Sequence, residues 1–156
     1  MSNKEILGEL EEKFKTMKKE LGFRASLDEL DEAFFVRDAL LSARFVSEKL
    51  SRQICSRIIE TYMVWTNYLH SLIMPNPGHM LNMNESKMFN EEEKRALLGL
   101  LSKSMELTSR NNLIGLTKDK KEEAKFIDNA LNFWVKSFKP EMIKVVTKIN
   151  ENWKSN

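Results

Sequence analysis

From Leu27 to Met74 the chain runs 48 residues without a glycine or a proline. Those residue types are the strongest local helix breakers, so nothing in the stretch marks an end. One unbroken helix of that length would measure about 72 Å, against roughly 40 Å across for a compact domain of this size. The segment must therefore bend, break or protrude. A kink or break is expected at Ser47–Gln53, where only Leu50 is hydrophobic. Beyond it, 13 of the 21 residues from Ile54 to Met74 are apolar, leaving a narrow polar arc with Arg57, Glu60, Asn67 and Ser71. A helix that is apolar around most of its girth belongs at the centre of a bundle. If the long helix is continuous, its far end needs cover from another subunit, and homo-oligomerisation follows.

The remaining joints are read from caps. Ser2 with Glu5, Ser26 with Glu29, Asn90 with Glu93 and Asp119 with Glu122 each place a capping residue three positions before an acid. After Ser2, Leu7, Leu10, Phe14, Met17 and Leu21 recur at spacings of three and four, predicting a helix over 3–21 that ends at Gly22. Pro75, Pro77 and Gly78 stop the long segment, and 74–89 reads as one irregular loop. The helix opened by Asn90 is expected to turn Leu97 or Leu98, Leu101 and Met105 inward and to end between Asn111 and Gly115. In the helix after Asp119, Ala124, Ile127, Leu131, Trp134 and Phe138 form the stripe. Pro140 then either starts a last helix with Met142, Val146, Ile149 and Trp153 inward or kinks a continuous one. No period-two run is bounded by turn signals. The expected fold is a single all-α domain over 1–156, a largely antiparallel bundle of about four to six helices.

The 25 Lys and Arg against 23 Asp and Glu leave a net charge of +2, dispersed along the chain. No basic stripe exists to neutralise a series of phosphates, which argues against nucleic acid as a partner. No apolar run approaches the ~18 residues a membrane span requires. One cysteine, Cys55, cannot form an internal disulfide, and the first residues lack the apolar core of a signal peptide. The expected location is the cytoplasm.

Metal and catalytic motifs are tested by ligand count. A di-iron bundle site needs Glu-x-x-His on two helices, but the residues three before His70 and His79 are Asn67 and Asn76. With one cysteine and no His-Glu-x-x-His there is no zinc set either. His79 with Met80, Met83 and Met88 has donors suited to Cu(I), though such methionines more often serve as adaptable packing. No metal, cofactor or catalytic residue is assigned. The five glycines are isolated, so no phosphate loop exists, and Cys55 reads as a small core residue.

The sharpest polar arrangement is Arg37, Arg44, Glu48 and Arg52, spaced 7, 4 and 4 and so placed on one face if the helix is continuous. Such a row is either a solvated ladder of ion pairs or a rigid set of guanidiniums that grips phosphate at a subunit boundary. These four residues and His79 are the candidate ligand-binding positions. Ala43-Arg44-Phe45-Val46-Ser47-Glu48-Lys49-Leu50-Ser51-Arg52 resembles, in degraded form, the Ala-Arg, Arg-Arg, Glu-Arg helix motif of ATP-dependent cobalamin adenosyltransferases, and Asp28-Glu29-Leu30 resembles their upstream Asp-Glu-Leu. Glu48 and Ser51 stand where that family has arginine and glutamate, and its Thr/Gly-rich nucleotide loop is missing. The resemblance implies a trimeric bundle that binds a nucleotide through Arg44 and Arg52 at a subunit interface. The surplus of apolar helix surface, with no catalytic constellation, instead points first to a non-enzymatic oligomeric module acting through protein contacts. A small-molecule ligand is the alternative. A groove for a partner helix lined by Phe34, Phe35 and Phe45 is a third reading.

Overall fold

A computed structural model describes residues 1–155, and among these every regular element is helical. In chain order they are α1 (Asn3–Leu21), α2 (Leu27–Phe34), α3 (Val36–Ala43), α4 (Leu50–Ile73), α5 (Met80–Ser86), α6 (Glu91–Thr117), α7 (Lys120–Phe133) and α8 (Lys139–Lys154). A π turn, Trp134–Phe138, joins the last two. No helix is long and apolar enough to cross a membrane among the described residues.

The stretch without breakers does not form one helix. It breaks twice, once near the expected place, at 44–49, and once at Phe35, where no break is expected. Phe35 closes α2 in the left-handed conformation, φ 55°, which a bulky residue adopts only under tertiary constraint. The constraint is visible. Asp31 accepts hydrogen bonds from the backbone N–H of Arg37, at 2.8 Å, and from its guanidinium, while Arg57 donates to the Phe34 carbonyl at 2.6 Å. The polar groups exposed by the break are thus paired, and Leu27, Leu30, Phe34, Val36 and Leu40 all reach the core. At the second break Arg44 is again left-handed, Val46 turns inward, and Gln53 accepts from the N–H of Ser47 and donates to the carbonyl of Phe45. Because the segment folds back on itself, it leaves no protruding end, and the argument for oligomerisation from a continuous helix falls away.

The central helix is α4, whose Leu50, Ile54, Cys55, Ile58, Tyr62, Leu69 and Leu72 are buried. It runs antiparallel to α6: Arg52 meets Asn111, and Thr66 meets Ser104 at 2.9 Å. It runs parallel to α7, with Arg52 bonded to Glu123 and the Tyr62 hydroxyl donating to the Ala130 carbonyl. Tyr62, Phe34, Trp134 and Phe138 make the aromatic centre, with Tyr62 edge-on to both Trp134 and Phe138. The stripe expected for α7 and the π turn is the one buried. On α8 the inward residues are Met142, Val145 and Ile149, whereas Val146 and Trp153 stay more than a third exposed. Segment 74–89 is only partly irregular, since it holds α5, and α6 continues past Gly115 to Thr117.

Candidate functional site

The four residues expected on one face lie on different elements and are already engaged. Arg37 sits on α3 and pairs with Asp28 at 2.6 Å and Asp31 at 3.0 Å. The Asp28 carboxylate, aided by Asp31, raises the Arg37 pKa further. Arg44 occupies the left-handed position after α3 and donates to the Met1 carbonyl. Glu48 lies in the loop that follows and pairs with Lys13 of α1 at 2.8 Å; that ammonium holds the carboxyl below its ordinary range. Arg52, on α4, reaches Glu123 at 3.1 Å and the Asn111 side chain at 2.9 Å. No common face exists, because the continuous helix that would create it is broken between Arg37 and Arg52.

Arg52 has a structural task of its own. Glu123 is only 6% exposed, and the guanidinium joins it and Asn111 to α4, so that three helices share one polar lock. Cys55 lies beneath this lock, fully buried, and desolvation, with Glu123 adding to it, pushes its thiol up to about 12. Such a thiol stays protonated and is a poor nucleophile.

Both histidines border hollows at one end of the bundle. A cavity of about 460 Å³ is lined by Tyr68, Ser71, His79, Leu81, Asn82, Glu85 and Trp153, and an adjoining one of about 290 Å³ reaches His70, Met74 and Asn76. His79 caps α5, its Nδ1 accepting the N–H of Asn82 at 3.1 Å. In the neutral ring the proton is then on Nε2, so neither nitrogen is an open ligand while the cap holds. Met88 packs against the core and Met80 is exposed, so the soft donors of this segment do not converge. Glu85 accepts from the Tyr68 hydroxyl at 2.7 Å and from Trp153 Nε1 at 2.9 Å, fastening α8 to α5 and α4. Among the described residues no three His, Cys, Asp or Glu side chains are grouped to hold a metal ion.

The least expected surface is on α6. Its inward row is Leu97, Ser104, Leu107, Asn111 and Ile114. Of the expected Leu97 or Leu98, Leu101 and Met105, Leu97 is buried and Leu101 packs half-buried against the core, whereas Leu98, at 47%, and Met105, at 42%, are exposed. With 3.6 residues per turn, positions 98, 102, 105, 109, 112 and 116 point within about 40° of one direction. They are Leu98, Ser102, Met105, Ser109, Asn112 and Leu116, all exposed and none charged. Leu116 is 82% exposed, and Leu113 beside it 59%. The stripe is about 27 Å long. The charges of mid-α6 stand to one side, where Glu106 pairs with Lys103 and Arg110. The face is uncharged at alternating spacings of four and three, with Leu98, Met105 and Leu116 apolar and Ser102, Ser109 and Asn112 polar.

No family model, no curated protein and no solved structure matches the chain.

Proposed function

We propose that the protein is a non-enzymatic, oligomeric helical module that works through protein contacts made by the outward face of α6. The observation that carries this reading is the uncharged stripe from Leu98 to Leu116, which has the spacing of a helix–helix seam and faces solvent. The residues with catalytic potential support it from the other side: Arg37, Arg52 and Glu123 are tied up in ion pairs, Cys55 is sealed, and His79 is spent on a cap. A single buried thiol fits a module of the cytoplasm. Light scattering coupled to size exclusion tests the reading. Association that rises with concentration and is abolished by Leu98→Glu with Leu116→Glu is the expected result, and a strict monomer that captures no partner defeats it.

The hollows between His70 and Trp153 favour a second reading, a small-molecule binder. A ligand would enter at the histidine end, because the arginines that resemble adenosyltransferase positions are engaged elsewhere. A thermal-shift panel of ATP, cobalamin and divalent metals checks this, since a ligand at 100 times its dissociation constant adds about 2.7 kcal/mol. No shift with any member removes that reading.

A further inference from the structure

We infer that the occupant of the α6 seam is a second copy of the same helix, running antiparallel, with a two-fold axis passing the helix at the level of Leu107. This rests on the interaction reading above and adds to it the partner and its direction. An isologous contact requires a surface that is its own complement when turned through a half-circle. The seam meets that condition by residue number. Turned about position 107, Leu98 falls opposite Leu116 of the partner subunit, Ser102 opposite the partner's Asn112, and Met105 opposite the partner's Ser109. Leucine meets leucine at both ends, and a hydroxyl meets an amide between them. These layers alternate the two seam positions in the way antiparallel pairs of helices do.

Charge selects the direction. Glu91 and Glu92 are exposed at the start of α6, and Lys118, Lys120 and Lys121 are exposed just beyond its end. A parallel pair would place acid against acid and base against base. The antiparallel pair brings each acidic start to the partner's basic end, and opposes the helix dipoles favourably. The centre of the seam contributes no charge that would have to be stripped of water. In size, a strip about 27 Å long and 10 Å wide is well short of the ~800 Å² per partner of a standard interface, so the dimer is weak and dissociates on dilution.

The test uses the full chain bearing Leu98→Cys in one preparation and Leu116→Cys in another. Both positions are exposed, so folding is preserved and is checked by circular dichroism. Buried Cys55 stays out of reach of the cross-link. Under mild oxidation the mixture gives a disulfide-linked dimer and each preparation alone does not. Sedimentation over a concentration series up to ~1 mM, the weak end of specific association, reads the dimer directly. Glu91→Lys with Glu92→Lys raises the dissociation constant at least tenfold at low salt, and adding Lys120→Glu with Lys121→Glu to the same chain restores it. A dimer in which Leu98→Cys cross-links to itself, or in which the mixture fails to cross-link, overturns the antiparallel pairing while leaving an interaction module. A chain that stays monomeric at every concentration overturns the self-association, and one that also captures no partner overturns the interaction module with it.

Discussion

α1 and α6 meet the core in the same manner and meet the solvent in opposite ones. Each is opened by a capping box, and each lays one row of side chains inward: Ile6, Leu10 and Phe14 on α1, and Leu97, Leu107 and Ile114 on α6. On the outward side of α1 the positions within about 40° of one direction are Lys4, Gly8, Glu12, Lys15 and Lys19, all exposed. On α6 the equivalent row starts with Glu91 and Lys94 and is uncharged from Leu98 to Leu116. Solubility alone explains the first arrangement and not the second. The pair therefore separates what folding demands of a helix, one apolar row, from what a contact demands, a second row on the opposite side.

The difference can be strained from either direction. The largest effects belong to the inward rows, where the two helices are alike: Leu10→Ala and Ile114→Ala should each cost about 2–5 kcal/mol in denaturant unfolding. A negligible loss at Ile114 would mean that the inward side of α6 has been misassigned. Arg52→Met should cost about 2–3 kcal/mol, less than a fully buried pair because the Arg52 side chain is 30% exposed, yet appreciable because Glu123 is left without its cation. Restoration of part of that loss by Glu123→Gln in the double variant would confirm the penalty as electrostatic. The caps come next, with Ser2→Ala and Asn90→Ala expected to lower stability by about 1 kcal/mol each.

Acid tests the caps together. Backbone N–H groups, Ser2 for Glu5 and Asn90 for Glu93, hold both carboxyls below the ordinary 4.5, and Lys148 assists at Glu93. A carboxyl whose pKa is lower in the folded chain contributes stability above its unfolded value and loses it as pH falls through the folded one. Unfolding midpoints should thus decline below pH 4.5, and Glu93→Gln should flatten part of that decline. The smallest effect on stability separates the two outward rows. Lys15→Leu on α1 and Leu98→Lys on α6 should each shift the unfolding free energy by under ~0.5 kcal/mol. Only the second should abolish association, and loss of association with Lys15→Leu as well would remove the distinction.

Local chemistry on α1 and α7 was legible because it agreed with the tertiary structure. Caps at Ser2, Ser26, Asn90 and Asp119 and the row Ala124 to Phe138 need only neighbours in sequence to be recognised. The break at Phe35 was not legible, because its cause lies in Asp31 and in Arg57, a residue 23 positions away that supplies the donor for Phe34. The other break, at 44–49, dissolves the face on which Arg37, Arg44, Glu48 and Arg52 were to meet. On α6 the difficulty was of another kind. Two mixed rows of leucines and small polar residues compete, and the inward one carries Ser104 and Asn111, which look like solvent residues until Thr66 and Arg52 of α4 are seen opposite them.

The π turn at Trp134–Phe138 carries a consequence for how this chain tolerates length changes. It lies directly before Pro140, which has no N–H to give to a regular ladder, and Lys139 instead donates five residues back to the Trp134 carbonyl. The turn thus holds one residue more than an ideal helix would need. Winding the same residues into a regular α turn would rotate everything after it by about 100°. Met142, Val145 and Ile149 would leave the core, and Trp153 would lose Glu85. The wide turn sets the phase of α8: a regular turn of the same length would be a less stable protein, whereas loss of one residue within the turn would keep that phase.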